Sequence, residues 1–354
     1  MSTKVQATMQ RFVDQHQIAG AVTVIGRNRK VLHLGAVGET SPQNLFWIAS
    51  MTKPITGTAV MILQDEGKLS VDDPVAKYLP AFADVKLENG QAPKSTLRIR
   101  HLLTHTSGLK EVARKNPETS TLEEQCAGLA AKGLSFEPGS EWRYGWSLQV
   151  AGRIIEIVSG KSFDAFVTER ILQPLEMTET SFNPTAEQAT RVAHVYKLNA
   201  AKDGLERTSN QYVSAGLSVK QTPMPSGGLF STAGDLSKFY LMILNDGEAN
   251  GKRIVSAAAI EQMTKVQSGE VKTGFTEGNG WGFTWCVVRQ PQGVSAMLSP
   301  GTFGHGGAYG TQAWVDPQRK MFVVLLVQRT DLPNSDNSDI RREFQQAAID
   351  EFGQ

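Results

Sequence analysis

The residues of this chain best suited to chemistry begin with Phe46-Trp47-Ile48-Ala49-Ser50-Met51-Thr52-Lys53-Pro54, ahead of a helical run through Ala59, Ile62 and Leu63. Proline is tolerated in a first helical turn, so Pro54 sets the helix start close to Ser50. Ser50 and Lys53 stand three apart and share a helix face, which brings the amine within reach of the hydroxyl. The helix N-terminus adds unpaired N–H groups and a positive dipole end where an oxyanion would develop. A serine hydroxyl is a poor nucleophile until a neighbour takes its proton. Lysine can do so only if its pKa falls from roughly 10.4 toward neutrality, through burial or a second cation. Alone, Ser-x-x-Lys recurs by chance and describes a surface helix start equally well.

Two further segments supply context. In Phe136-Glu137-Pro138-Gly139-Ser140-Glu141-Trp142-Arg143-Tyr144-Gly145-Trp146-Ser147 a Gly/Pro turn delivers Tyr144 just ahead of a helix with Ser147 as its expected cap. A phenol there can relay a proton, or simply pack in a domain interface with its hydroxyl satisfied. Phe303-Gly304-His305-Gly306-Gly307-Ala308-Tyr309-Gly310 leads into a strand expected to start at Thr311. Glycines at a strand let a ligand approach the backbone, and the Ala308 N–H could serve an oxyanion; a ligand-free glycine loop is the alternative.

The elements that must position these residues are arranged symmetrically about the chain. Residues 2 to 17 place Val5, Met9, Phe12 and Val13 on one helical face with Ser2 as candidate cap. Apolar segments 21 to 25 and 31 to 34 flank a turn at 26 to 30, and segments 311 to 316 and 321 to 328 flank another at 317 to 320. A helix from about Ser338 to Phe352 closes the chain. The expected architecture is α+β: an antiparallel sheet built from both termini, residues 1–69 and 220–354, with both terminal helices on one face. Residues 70–219 read as a largely helical insertion, whose clearest helix carries Leu148, Ala151, Ile155 and Val158 and stops at Gly160.

Composition narrows the function classes. The chain has 354 residues, 40% hydrophobic and 20% charged, with 33 Gly and 15 Pro, an ordinary globular profile. Lys and Arg total 36 against 35 Asp and Glu, and no basic stripe suited to phosphates appears, so nucleic acid is not an expected partner. No run of about eighteen apolar residues offers a membrane span, and residues 1 to 6 lack the apolar stretch of a secretory leader. The text therefore reads as cytoplasmic, or periplasmic had a leader been removed. Cys126 and Cys286 have no metal-ligand spacing and read as two buried free thiols. His101 and His105 are four apart, but no third ligand lies nearby, so hydrogen-bonded structural histidines are expected and no metal or other cofactor. Asp235 reads as a helix cap, and Trp281 and Trp285 as cleft lining or core. The Gly-x-Ser-x-Gly elbow of α/β-hydrolases is absent.

Taken together, the three segments resemble the serine β-lactamase and penicillin-binding-protein superfamily, most closely its class C branch with the family VIII carboxylesterases. Ser50-Met51-Thr52-Lys53 looks like the family's Ser-x-x-Lys, Tyr144-Gly145-Trp146 like its tyrosine motif, and His305-Gly306-Gly307 like its Lys-Thr-Gly strand. His101 to Leu109, Pro174 to Met177 and Gly227 to Thr232 also look familiar. The resemblance implies an active site between sheet domain and insertion. In it Ser50 forms an acyl-enzyme, Lys53 and Tyr144 share proton transfer, and the N–H groups of Ser50 and Ala308 make the oxyanion hole, without a metal.

Two departures bear on substrate. Trp146 stands where lactamases and peptidases of the family carry an asparagine that binds the acylamido side chain. His305 replaces a lysine that recognises the substrate carboxylate, and an unperturbed histidine is mostly neutral at pH 7. Both disfavour β-lactams and peptidoglycan peptides. The expectation is a carboxylesterase on small to medium esters, with Trp146, His305, Gly306 and Gly307 facing the substrate. The alternatives are a β-lactamase or D-alanyl peptidase, and an inactive relative that binds a cell-wall fragment or a protein.

Overall fold

The computed structural model describes residues 2–110, 120–209, 213, 220–332 and 337–354. Its centre is a seven-stranded antiparallel sheet. Across it run Lys30–Gly38, Gly20–Arg27, Met321–Leu326, Gln312–Asp316, Phe303–Gly306, Cys286–Val288 and Asn279–Trp281. The two ends of the chain meet in its second and third strands, where Val24 pairs with Val324. The central strands are apolar at nearly every position because both faces are covered. Ala21, Ile25, Val323 and Leu325 pack under the terminal helices Lys4–Asp14 and Asp339–Phe352, through Val5, Met9, Phe12 and Phe344. The alternate residues Val22, Val24, Phe322 and Val324 belong to the core shared with helices Thr52–Asp65 and Ala233–Leu244. The fold is thus α+β, with both terminal helices on one face as the patterning implies. The first hairpin turns through Asn28 and Arg29, both at positive φ, the geometry of a two-residue turn that matches strand twist.

Several local expectations are corrected. The first helix is capped by Thr3, not Ser2, because Gln6 lies at the position that closes a reciprocal box with Thr3. Thr232, not Asp235, caps Ala233–Leu244; the Asp235 carboxylate instead accepts from the Glu179 N–H and Thr180 Oγ1. Ser147 is the first residue of its helix, Ser147–Ser159, and Trp146 holds the cap position without a side-chain bond. The Ser147 hydroxyl is drawn away to the Leu102 carbonyl at 2.8 Å. That helix does end at Gly160, in the left-handed conformation. The strand after the glycine run starts at Gln312, one residue late, because the Thr311 carbonyl closes a turn by accepting from the Gly307 N–H at 2.6 Å.

The stretch 70–219 contains helices Ile99–Leu103, Leu122–Lys132, Ser147–Ser159 and Phe163–Val167. It also contains an unexpected hairpin, Val195–Leu198 with Leu205–Thr208, whose polar outer strand shows little apolar alternation. The boundary expected at residue 219 lies outside the described residues. Both cysteines are buried, and neither forms a disulfide. Among the described residues, no helix is long and apolar enough to cross a membrane.

Candidate functional site

The nucleophile candidate sits on a strained turn. Strand Phe46–Trp47 ends at Ile48, and Ala49 then adopts φ 47°, a left-handed conformation costing a non-glycine residue about 1–3 kcal/mol. One 3₁₀ turn, Ala49–Met51, runs directly into helix Thr52–Asp65. Ser50 thereby stays half-exposed while Ala49 and Met51 on either side are buried. The helix start is tied to a distant segment: the Lys53 amine donates to the Ser226 carbonyl at 2.6 Å, Thr56 Oγ1 to the Pro225 carbonyl, and the Leu229 N–H to Thr52 Oγ1.

Lys53 Nζ lies 2.9 Å from Ser50 Oγ. Its side chain is buried at 2% exposure, and no carboxylate holds it charged, so desolvation pushes its pKa down to about 7. The same Nζ lies 4.6 Å from the centre of the Tyr144 ring. Tyr144 stands in the loop before Ser147–Ser159 and is half-buried. The structure therefore gathers Ser50, Lys53 and Tyr144 at one place, although the third is about ninety residues away in sequence.

His305 lies in strand Phe303–Gly306, its ring centre 6.0 Å from that of Tyr144. Its Nδ1 is 2.5 Å from the Gly306 carbonyl, which can only accept, so the proton sits on Nδ1 and Nε2 is left as a lone-pair acceptor. Burial and the nearby Lys53 charge push its pKa down to about 3. At neutral pH the position is uncharged. The chain then turns at Gly307, where a Cβ would stand 2.4 Å from the Ile48 carbonyl and 2.2 Å from Thr311 Oγ1. Only glycine lets this edge approach the Ser50 turn so closely. Ala308, next in sequence, is exposed. Among the described residues, neither the Ser50 nor the Ala308 N–H is engaged in a main-chain hydrogen bond. Trp146 is half-buried at the head of its helix.

Three aromatic residues complete the surroundings of Tyr144. Trp142, Trp281 and Phe275 have ring centres 6.0, 6.0 and 5.2 Å from it. Trp281 belongs here, whereas Trp285 packs against Phe239 and Phe303 in the core. Trp142 lies in the run that carries Tyr144 and could have been flagged. Nothing in the spacing marks Phe275, which is 48% exposed on a loop between two glycines at positive φ, Gly274 and Gly278. Of the two histidines four apart, His101 accepts from the Arg98 N–H through Nδ1, and His105 packs on Tyr144. No group of three or more metal-ligating side chains occurs among the described residues.

Comparison with known proteins agrees with this architecture. The Beta-lactamase family matches residues 5–348. Esterase EstB of Burkholderia gladioli is 29% identical over 92% of this chain and 90% of its own. A putative D-alanyl-D-alanine carboxypeptidase of Escherichia coli K12 is 30% identical over 82% of this chain and 70% of its own. Among solved structures, EstCE1, described as a hydrolase with promiscuous acyltransferase activity, superposes with a TM-score of 0.81 at 25% identity, covering 98% of this chain and 97% of that one. The chain belongs to the Beta-lactamase family, within the serine hydrolase superfamily.

Proposed function

We propose that this protein hydrolyses carboxylic esters of small to medium size through an acyl-enzyme on Ser50. The observation that carries the reading is a buried lysine, with its pKa near 7, in hydrogen-bond contact with a half-exposed serine hydroxyl. Ser50 Oγ attacks the ester carbonyl carbon while its proton passes to the coupled Lys53 and Tyr144. The oxyanion is met by the N–H groups of Ser50 and Ala308. The same pair returns the proton to the departing alcohol, and water then attacks the acyl carbon by the reverse path.

Ester preference follows from what the cleft offers a substrate. A buried, neutral His305 offers no positive charge to a carboxylate, and Trp146 has no amide to grip an acylamido group. Phe275 and Trp142 instead present apolar rings beside Tyr144. Comparing p-nitrophenyl acetate, p-nitrophenyl butyrate and nitrocefin tests this. The esters should exceed nitrocefin in kcat/KM by at least about tenfold, the value of one charged hydrogen bond. Faster nitrocefin turnover would favour the β-lactamase or peptidase reading, toward which the carboxypeptidase relative points.

Two substitutions sharpen the comparison. His305→Lys restores a charged donor and should narrow the gap by lowering KM for nitrocefin, with the ester KM nearly unchanged. Phe275→Ala removes exposed apolar surface and should raise KM for the butyrate roughly three- to tenfold more than for the acetate. Its kcat and melting temperature should stay close to those of the parent, since half the ring already faces water.

A further inference from the structure

We infer that His105 is a positioning residue that fixes Tyr144 against Lys53, holding the tyrosine strip by both its main chain and its ring. This rests on Ser50 being the nucleophile. The His105 carbonyl accepts from the Arg143 N–H at 2.9 Å. Its Nδ1 lies 3.4 Å from both the Gly145 N–H and Ser147 Oγ. Arg143 and Gly145, the residues before and after Tyr144, are thus tied to this one histidine, and the His105 ring lies 4.5 Å, centre to centre, from the Tyr144 ring.

The residue is otherwise difficult to explain. It is 1% exposed and holds φ 58°, a left-handed conformation unfavourable for a side chain of this size. Because the Gly145 N–H donates to Nδ1, the proton resides on Nε2, which has no conventional partner and lies in a ring that meets Trp281 edge to face at 5.4 Å. Burial, with Lys53 and His305 nearby, keeps the imidazole neutral. A neutral ring supplies shape and one acceptor without adding charge beside the Lys53 amine. A side chain needed only for filling would call for neither the acceptor nor the strained backbone.

The test uses steady-state hydrolysis of p-nitrophenyl butyrate by the full chain, with melting temperatures measured alongside. His105→Gly removes ring and acceptor yet suits the left-handed backbone. It should lower kcat about thirtyfold with KM within about twofold, the pattern of misplacement rather than lost binding. His105→Asn also tolerates that backbone and places an amide oxygen near the Nδ1 position, so it should recover about a third or more of the lost rate. In a Tyr144→Phe background, where no phenol remains to be positioned, His105→Gly should cost less than about twofold. A full multiplicative loss in that background, no recovery by asparagine, or an unchanged kcat in His105→Gly would overturn the assignment. Fluorophosphonate labelling of the unsubstituted protein separates the premises. Labelling at Ser50 with an additive cycle rejects the positioning role alone, and no labelling at Ser50 rejects both.

Discussion

Replacing Ser50 by alanine should abolish ester turnover, with kcat falling at least about 10⁴-fold, while the melting temperature stays within a few degrees of the parent. The size of the loss follows from the chemistry. Without an oxygen to acylate, only binding and the oxyanion N–H groups remain, and those account for a minor share of what such sites achieve. The small effect on stability follows from the surroundings. Ser50 is half-exposed, and Lys53 keeps its bond to the Ser226 carbonyl when the serine hydroxyl is gone. Residual activity above about one part in a hundred of the parent rate would mean that another group reaches the carbonyl.

Lys53→Met should instead couple a loss of rate with a gain in stability. An amine buried without a carboxylate is costly to protonate, which is why its pKa falls to about 7 from 10.5. Between those values the unfolded chain binds a proton that the folded chain releases, so folding becomes more favourable as pH rises through that window. The penalty is complete below pH 7 and gone above 10.5. At pH 7 it is on the order of 4 kcal/mol. Methionine fills similar space without charge, but leaves the Ser226 carbonyl short of a donor at a cost of about 1–3 kcal/mol. The net expectation is a variant more stable by roughly 1–3 kcal/mol at pH 6 and no more stable near pH 10, read by denaturant unfolding. Its kcat should fall by about 10³-fold or more. In the parent, kcat/KM should rise with pH around 7 as Lys53 loses its proton. A rate flat from pH 5 to 9 would contradict a lysine base.

How far the sequence foretold this arrangement depended on whether the forces were local. Ser50 and Lys53 are three residues apart, and helix geometry alone brings them together. The central strands and terminal helices were visible as apolar runs and periodic faces, since a sheet covered on both sides leaves few positions for polar residues. Capping falls to Thr3 rather than Ser2, to Thr232 rather than Asp235, and to no side chain in place of Ser147. A distant acceptor, such as the Leu102 carbonyl for Ser147, decided which one bonded where. Tyr144 beside Lys53 is a tertiary contact: its turn marks a phenol able to relay a proton, and the family resemblance pairs it with Lys53. Phe275 and the double hold of His105 on the tyrosine strip had no local signal at all. A single exposed phenylalanine and a histidine between two threonines look the same whether or not they face a site.

Ester hydrolysis through Ser50 requires a covalent ester on one particular oxygen. Mixing the protein with p-nitrophenyl butyrate, quenching in acid within the first turnovers and mapping peptides by mass spectrometry tests it most directly. One butyryl group is expected on the peptide spanning Ala49 to Lys53, assigned by fragmentation to Ser50 and absent from Ser50→Ala. A butyryl group found reproducibly on another residue, or active protein that never carries one despite a fast first burst of nitrophenol, would contradict it.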